Sequence, residues 1–526
     1  MNTLPVIDIV VILLYLIAMV WVGYYFSRKN NNQAQFTKAS GHIPGWAIGL
    51  SIYATFLSSN TFLGVPGKAF GGNWNAFAFS LSMPLAAWVA AKFFVPFYRS
   101  TGEISAYTNL EHRFGSWART YAVVCFILTQ IARMGSIFFG LSLTLQALTG
   151  YDMKLIMLLT GICIILYTVM GGIEAVIWTE VVQGILKTVG AVLILYLVIS
   201  KVDGGISAIH EIGVANNKFS LGSLNMDFTT STFWVVLIYG FFINLNNFGM
   251  DQNYVQRYHT ATSKKEASKS IWLCVWIYIP ASFLFFIIGS CLFAYYQQNP
   301  ELLQSIRIQA ATERLGINAS ATDISLLAGS LKPEDFGDKV MPHFMVTMIP
   351  AGILGLIISA ILSAGMSTIS SGMNASATVF SEDIYKRYIN KNVSEKSGLR
   401  ALYAGTVVFG LLGMFAGVLM IGVKSVLDIW WQLSGIFAGG MLGLFLLGII
   451  SKRSGNKAAL IGTFLGILVI LWMTFSYLIP EEYAFLRNPL HANMIIVVGT
   501  LVIFLFGVLF SDRSKNKHTQ TEHPNI

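Results

Sequence analysis

The sequence predicts an all-α, polytopic membrane protein with about thirteen transmembrane helices, and three observations carry that reading. Of 526 residues, 55% are hydrophobic and 11% charged, with a mean hydropathy of +0.64. Soluble domains hold about 25% charged residues, so a water-soluble body of this size would expose far too much apolar surface. Apolar runs of ~18 residues or more, the length a helix needs to cross hydrocarbon, recur along the chain. Lys and Arg cluster in alternate connections between those runs, so the net charge of +9 belongs to loops and argues against nucleic acid as a partner. Four cysteines (Cys125, Cys163, Cys274 and Cys291) all lie inside apolar stretches and read as small buried hydrophobes, not as a disulfide framework or a metal site.

The runs lie at 5–27, 45–72, 75–98, 120–148, 154–171, 177–200, 233–255, 270–297, 341–380, 401–421, 429–450, 458–479 and 491–511. The first has no basic segment before it and Arg28 and Lys29 after it, so it reads as a retained helix and not a cleaved signal. The ninth is too long for one straight span, and its last third is expected to project beyond the bilayer. One set of loops holds 21 Lys and Arg, the alternate set 9. The rich set is therefore expected in the cytoplasm, with the N-terminus outside and the C-terminus, including the polar tail 512–526, inside. No loop is large enough for a second domain. A single transmembrane domain is expected over 1–526, in the cytoplasmic (inner) membrane, with the lipid bilayer as its surroundings.

No G-x-x-x-x-G-K-[S/T] phosphate loop, H-E-x-x-H motif or close pair of carboxylates within one span occurs, so neither an ATP-driven pump nor an enzyme is indicated. The second span instead carries Thr55, Ser58, Ser59, Asn60 and Thr61, followed by Gly64, Pro66 and Gly67. Such polarity is tolerated at membrane depth where unwound backbone lines an enclosed cavity, or where small polar residues pack helices together. The ninth span offers Ser363, Ser367, Thr368, Ser370 and Ser371 at helical spacing. One face of it presents hard, uncharged oxygens suited to Na⁺, and helix packing through small residues would give the same composition. The seventh span holds the polar run 244–253 around Gly249. Spans two and seven lie five helices apart and run in opposite directions, the arrangement of an inverted repeat of spans two to six and seven to eleven. A pair of interrupted helices marks a transporter site. Arg133 stands about 13 residues, ~20 Å, into the fourth span, too deep to snorkel. It is either a fixed cation facing an anionic substrate or half of an ion pair with another helix. Lys187 is similarly deep and needs a partner, while Glu174 and Glu180 border the sixth span.

At these residues the chain resembles the sodium:solute symporter family. The resemblance covers roughly 5–450. It rests on Ala54–Lys68, on the block Gly171-Gly172-Ile173-Glu174 through Trp178-Thr179-Glu180-Val181-Val182-Gln183-Gly184, and on the ninth-span serines leading into Ala377–Tyr385. Within the family it is most similar to bacterial sodium-coupled sialic acid (N-acetylneuraminate) transporters, through Ala54–Phe62 and Arg133. The resemblance implies the leucine-transporter fold. Residues 45–450 would form the inverted-repeat core, 1–44 an extra helix and loop, and 451–526 two further helices and the tail. It implies a sodium site built from the carbonyls of Ala54, Leu57 and Ala364 and the hydroxyls of Ser367 and Thr368. It admits a second sodium at Glu180, Ser367, Thr368 and Ser371, where relatives use an aspartate at the Glu180 position. Its substrate set is Ser58, Ser59, Thr61, Ser80, Arg133, Asn244, Asn247 and Gln432; Ser80 replaces a glutamine of close relatives, and Asn247 replaces a gating tyrosine. The expected activity is sodium-coupled uptake of a sialic acid by a monomer. The alternatives are a symporter for a neutral sugar, a proline-like solute or another carboxylate, and, in a different class, a membrane receptor for the same ligand.

Overall fold

The computed structural model describes residues 4–27, 32–316, 319–423 and 426–511, and the expected tail 512–526 lies outside them. Its described residues hold no strand, only one isolated bridge between Ile43 and Ala261. The burial pattern is that of a protein in lipid. Large apolar side chains such as Leu13, Ile17, Trp21, Leu159, Leu166 and Phe415 point outward. Ser, Thr and Asn side chains concentrate in the interior, where hydroxyls and carboxamides satisfy one another away from hydrocarbon.

Among the described residues, ten helices are long and apolar enough to cross a membrane, and the bent pair Gly45–Phe56 and Ser59–Gly71 makes an eleventh. Helix Met153–Ser200 has 48 residues, about 72 Å if straight and roughly twice a bilayer. It breaks at Gly172, whose φ of 59° and ψ of −166° suit only glycine. The Tyr167 hydroxyl reaches the Met366 carbonyl at 3.0 Å and Lys187 Nζ reaches Ser367 Oγ at 2.8 Å. Two residues twenty apart on a straight helix could not meet neighbouring partners, so the chain doubles back and supplies spans five and six. The apolar helix Met494–Leu509 completes the thirteen expected runs.

Two of the expected spans gain local detail. The break in span two lies at Leu57 and Ser58 (Leu57 φ −81°, ψ 85°), within the polar run, and its halves meet at 56°. Gly64, Pro66 and Gly67 sit inside helix Ser59–Gly71. The two glycines serve close packing: a Cβ on Gly64 would lie 2.9 Å from that of Leu427, and one on Gly67 2.8 Å from the Gly337 carbonyl carbon. The ninth run is two elements, helix Gly337–Met348 and helix Ile353–Val379, parted at Ile349–Gly352. Part of its surplus length therefore lies at the start. Ser363 through Ser376 are all buried, and the helical run continues from Ile353 to Ile389, 37 residues or about 55 Å, still longer than one hydrocarbon crossing. At the start of the long helix, Gly352 N and Gly355 N donate to Asp8 Oδ1 at 2.7 and 2.6 Å. A carboxylate inside the apolar first helix thus satisfies otherwise unpaired N–H groups at a helix N-terminus.

Helix Ile353–Val379 packs against spans one, four, five and six, and the helices after residue 426 pack on one another and on span four. On the face bearing the basic-rich loops, Arg119 joins Asp383 (2.5 Å) to Glu111 (3.0 Å), and Arg387 also pairs with Glu111. Burial would raise the Glu111 carboxyl, but hydrogen bonds and charge from Arg387 and Arg119 outweigh it and hold the group below the usual range.

Candidate functional site

The two broken helices and the buried arginine meet around one cavity. In span two, the extended residues Leu57 and Ser58 leave the Ala54 and Leu57 carbonyls without a following helical turn, while helix Ser59–Gly71 opens its first N–H groups beside Ser58. In span seven the break falls at Asp251 (φ −70°, ψ 121°), between helices Phe233–Met250 and Gln252–Thr260. Asp251 caps the second of these, its Oδ1 accepting from Asn253 N at 2.8 Å and Asn253 Nδ2 at 2.6 Å. Its Oδ2 accepts from Gln130 Nε2 at 3.2 Å and lies 3.7 Å from Arg133 Nη1. Arg133 Nη2 donates to the Thr55 carbonyl and the Tyr254 hydroxyl, both at 3.2 Å, and its guanidinium lies 5.6 Å from the centre of the Trp430 ring. Arg133 is thus held by span two, span seven and an aromatic face, and it lines the cavity.

That cavity, ≈ 70 Å³, is lined by Ser58, Thr61, Ser80, Arg133 and Asn247 from the expected substrate set, together with Asn60, Ser282, Tyr278, Trp430 and Trp431. Asn60 Nδ2 bonds Ser136 Oγ at 3.0 Å, while its Oδ1 is buried with no protein partner, an acceptor available to a ligand. Ser80 and Ser282 share a 2.8 Å hydrogen bond. Ala76 and Trp431 line both this cavity and an open polar cleft of ≈ 830 Å³ on the face bearing the basic-poor loops, with Lys68 and Asp428 paired at 2.6 Å in the cleft. Trp431, stacked on Phe79 at 5.7 Å, therefore forms part of the wall between chamber and cleft.

Three residues of the expected substrate set fall elsewhere. Ser59 turns away and donates to the Ile137 carbonyl at 3.3 Å. Asn244 bonds the Phe79 carbonyl (3.3 Å) and Ser82 Oγ (3.1 Å), bracing span three. Gln432 lines the outer cleft, one residue beyond the Trp431 wall.

The five residues of the expected sodium site do converge, and a cation stands among them. Lys187 Nζ donates to the Ala54 carbonyl at 2.6 Å, the Leu57 carbonyl at 2.9 Å and Ser367 Oγ at 2.8 Å. Ser367 and Thr368 also donate to the Ala364 carbonyl at 3.2 and 3.3 Å, and Thr368 to the Thr55 carbonyl at 3.1 Å. The donor set fits a monovalent cation, the ammonium serving as stand-in. The proposed second sodium set does not assemble. Glu180 is fully buried and takes hydrogen bonds from Ser51, Ser371 and, at 3.2 Å, Thr55, but Ser367 and Thr368 turn to the first cradle. In place of an ion, Arg257 Nη2 lies 2.7 Å from Glu180 Oε2, 2.6 Å from Ser371 Oγ and 3.1 Å from Thr55 Oγ1, with Nε 2.8 Å from Ser51 Oγ.

Arg257 is the residue sequence reasoning missed, having been counted among the loop cations. A signal was present, since every residue of helix Gln252–Thr260 is buried although most are polar. So polar a segment next to a break, in so apolar a chain, marks an interior network and not a solvated loop.

A sequence profile described as the sodium:solute symporter family matches residues 36–466. The chain is 33% identical to the sodium/sialic acid symporter NanT of Aliivibrio fischeri, over 97% of this chain and 93% of that protein. It is 34% identical to the sodium/sialic acid symporter SiaT of Proteus mirabilis, over 94% of each. Among solved structures, a substrate-bound, outward-open Na⁺-coupled sialic acid symporter superimposes with a TM-score of 0.83 at 32% identity, covering 96% of this chain and 97% of that one. A nucleobase-cation-symport-1 transporter superimposes with a TM-score of 0.52 at 13% identity over 91% and 94% of the two chains, a likeness of fold alone.

Proposed function

Because the chain belongs to the sodium:solute symporter family, we propose that it imports a sialic acid, N-acetylneuraminate or a close analogue, by sodium-coupled symport across the cytoplasmic membrane. The observation that carries this reading is the buried guanidinium of Arg133, presented to a hydroxyl- and amide-lined chamber where two helices break. A carboxylate matches the planar fork of an arginine. Ser58, Thr61, Ser80, Asn60 and Asn247 supply donors and acceptors for the hydroxyls and amide of a sugar acid. The basic-rich loops are read as cytoplasmic, with the N-terminus outside. Removing buried Arg257 from the rich set leaves 20 against 9, so the sign of the bias is unchanged. The polar cleft is then the outer entrance, and Trp431 must swing aside to admit a substrate larger than the chamber. Residues 45–450 are read as the transport core and 451–526 as an accessory segment, in a protein that works as a monomer.

A second reading has its own support. Asp251 stands 3.7 Å from Arg133 and already offsets its charge, which favours a neutral or zwitterionic solute. Counterflow in proteoliposomes loaded, in separate preparations, with N-acetylneuraminate, galactose or proline, and competed by N-acetylneuraminate, N-glycolylneuraminate, N-acetylmannosamine, galactose, proline and lactate, separates the two. Competition by sialic acids alone is expected. Competition by the neutral sugars or proline, or counterflow with galactose or proline but not with N-acetylneuraminate, would favour the second reading, and absence of counterflow in every preparation would leave a binding protein.

The ion reading has its own check. Ser367→Ala and Thr368→Ala each remove an oxygen from the cradle and are expected to raise the Na⁺ concentration for half-maximal uptake about tenfold, near 1.4 kcal/mol. Uptake that runs equally fast with choline replacing Na⁺ would remove sodium from the mechanism.

A further inference from the structure

Lys187 has an arrangement that the function described so far does not use. Its ammonium is fully buried and has three protons to give, and the cradle offers it three oxygens within 2.9 Å: two carbonyls from the break in span two and one hydroxyl from span nine. These are oxygens that the resemblance assigns to Na⁺. The nearby carboxylate of Glu180 is already occupied by Arg257, Ser51, Thr55 and Ser371, so no free acid is at hand to offset a second positive charge. A sodium ion and an ammonium cannot share these oxygens: both need the same lone pairs, and at contact distance in a low-dielectric site they repel strongly.

We propose that the Lys187 ammonium is a built-in cation of this cradle, one that competes with Na⁺ for the same oxygens and must leave them before the ion can bind. Seated there, it joins the hinge of span two to span nine as a bound ion would, and it sets how much Na⁺ is needed to replace it. The inference rests on the reading of this cradle as the ion site and is independent of which solute is carried.

The test compares wild type with Lys187→Met and Lys187→Gln, purified in detergent and titrated with NaCl at constant ionic strength against choline chloride. Melting temperature and tryptophan fluorescence report binding. Both variants are expected to bind Na⁺ at least tenfold more tightly than wild type and to melt lower in choline, with the loss restored by Na⁺. In proteoliposomes the ratio of uptake in Na⁺ to uptake in choline should rise. Adding Ser367→Ala to Lys187→Met should abolish the gain, which places the effect in the cradle. The inference is overturned if both folded variants bind Na⁺ no more tightly than wild type, or if their melting temperatures fall and Na⁺ does not restore them. A wild type with no response to Na⁺ beside a Lys187→Met that acquires one would uphold the inference and overturn the sodium-coupled reading. A protein that fails to bind sialic acid but shows the Lys187 effect would lose only its proposed substrate.

Discussion

Arg133→Ala is expected to lower the affinity for N-acetylneuraminate by a factor of roughly 30 to several thousand. That range corresponds to about 2–5 kcal/mol for removing one partner of a buried charge pair. The geometry indicates that most of the loss falls on ligand. The Asp251 carboxylate would keep its hydrogen bonds from Gln130 and Asn253, and its ion contact with Arg133 is the long one at 3.7 Å, so leaving it without a counter-charge should lower the melting temperature by less than breaking a closely paired buried salt bridge does. What the protein loses directly is one donor each to the Thr55 carbonyl and the Tyr254 hydroxyl. Arg133→Lys keeps the charge but loses the two-donor fork, and should recover only part of the affinity. Titration calorimetry on the purified protein reads the binding, and a melt without ligand reads the fold. If Arg133 serves Asp251 alone, the melting temperature falls in Arg133→Ala while the surviving folded fraction binds sialic acid with unchanged affinity. In that case Asp251→Asn should mimic it. If Arg133 serves the substrate, Asp251→Asn should leave binding intact or tighten it, because the carboxylate that competes for the guanidinium is gone.

How far the sequence revealed this arrangement depends on what each feature is made of. The helices were legible because crossing hydrocarbon imposes a length and an apolar composition that loops do not share, and each of the thirteen runs has its helix. The interrupted spans were legible as polar runs at membrane depth. The positions of their breaks were not. Gly64, Pro66 and Gly67 look like a break but sit in a helix, because the close approach of Leu427 and Gly337 demands the missing side chains. The break itself falls at Leu57 and Ser58, where no breaking residue stands. Arg133, Ser58, Thr61, Ser80 and Asn247 meet at one chamber, whereas Ser59 and Asn244 point to neighbouring helices. Helical phase decides this, and phase depends on where each break rotates the chain. Pairings across the sequence were the least legible. Arg133 with Asp251, Glu180 with Arg257, and Lys187 with the Ala54 and Leu57 carbonyls join residues from 77 to 133 positions apart. A lone chain gives no spacing rule for such partners. It shows only that a charge so deep must have one.

Glu180 and Arg257 form the most buried of these pairs, with side chains 0% and 1% exposed, and breaking the pair is expected to cost about 3–5 kcal/mol of stability. Glu180→Leu leaves a guanidinium in the interior with Ser51, Thr55 and Ser371 as its partners; Arg257→Met leaves a carboxylate there. Each single variant should therefore melt well below wild type. The double variant Glu180→Leu with Arg257→Met removes both charges at once and should melt above either single one, since paired hydrophobic replacement escapes the desolvation cost that each single change exposes. A double variant that melts lower than both would mean that the three hydroxyls, not the ion pair, hold this junction of spans two, six, seven and nine. The same variants bear on the ion. In Arg257→Met, Glu180, Ser51, Thr55 and Ser371 present a carboxylate and three hydroxyls with no cation among them. Added Na⁺ should then raise the melting temperature of Arg257→Met by more than it raises that of wild type, and should raise that of the double variant, which has no carboxylate to receive a further ion, by no more than it raises wild type. Equal Na⁺ responses in all three would mean that this cluster cannot hold sodium even when cleared, and that the guanidinium acts there only as a strut between the helices.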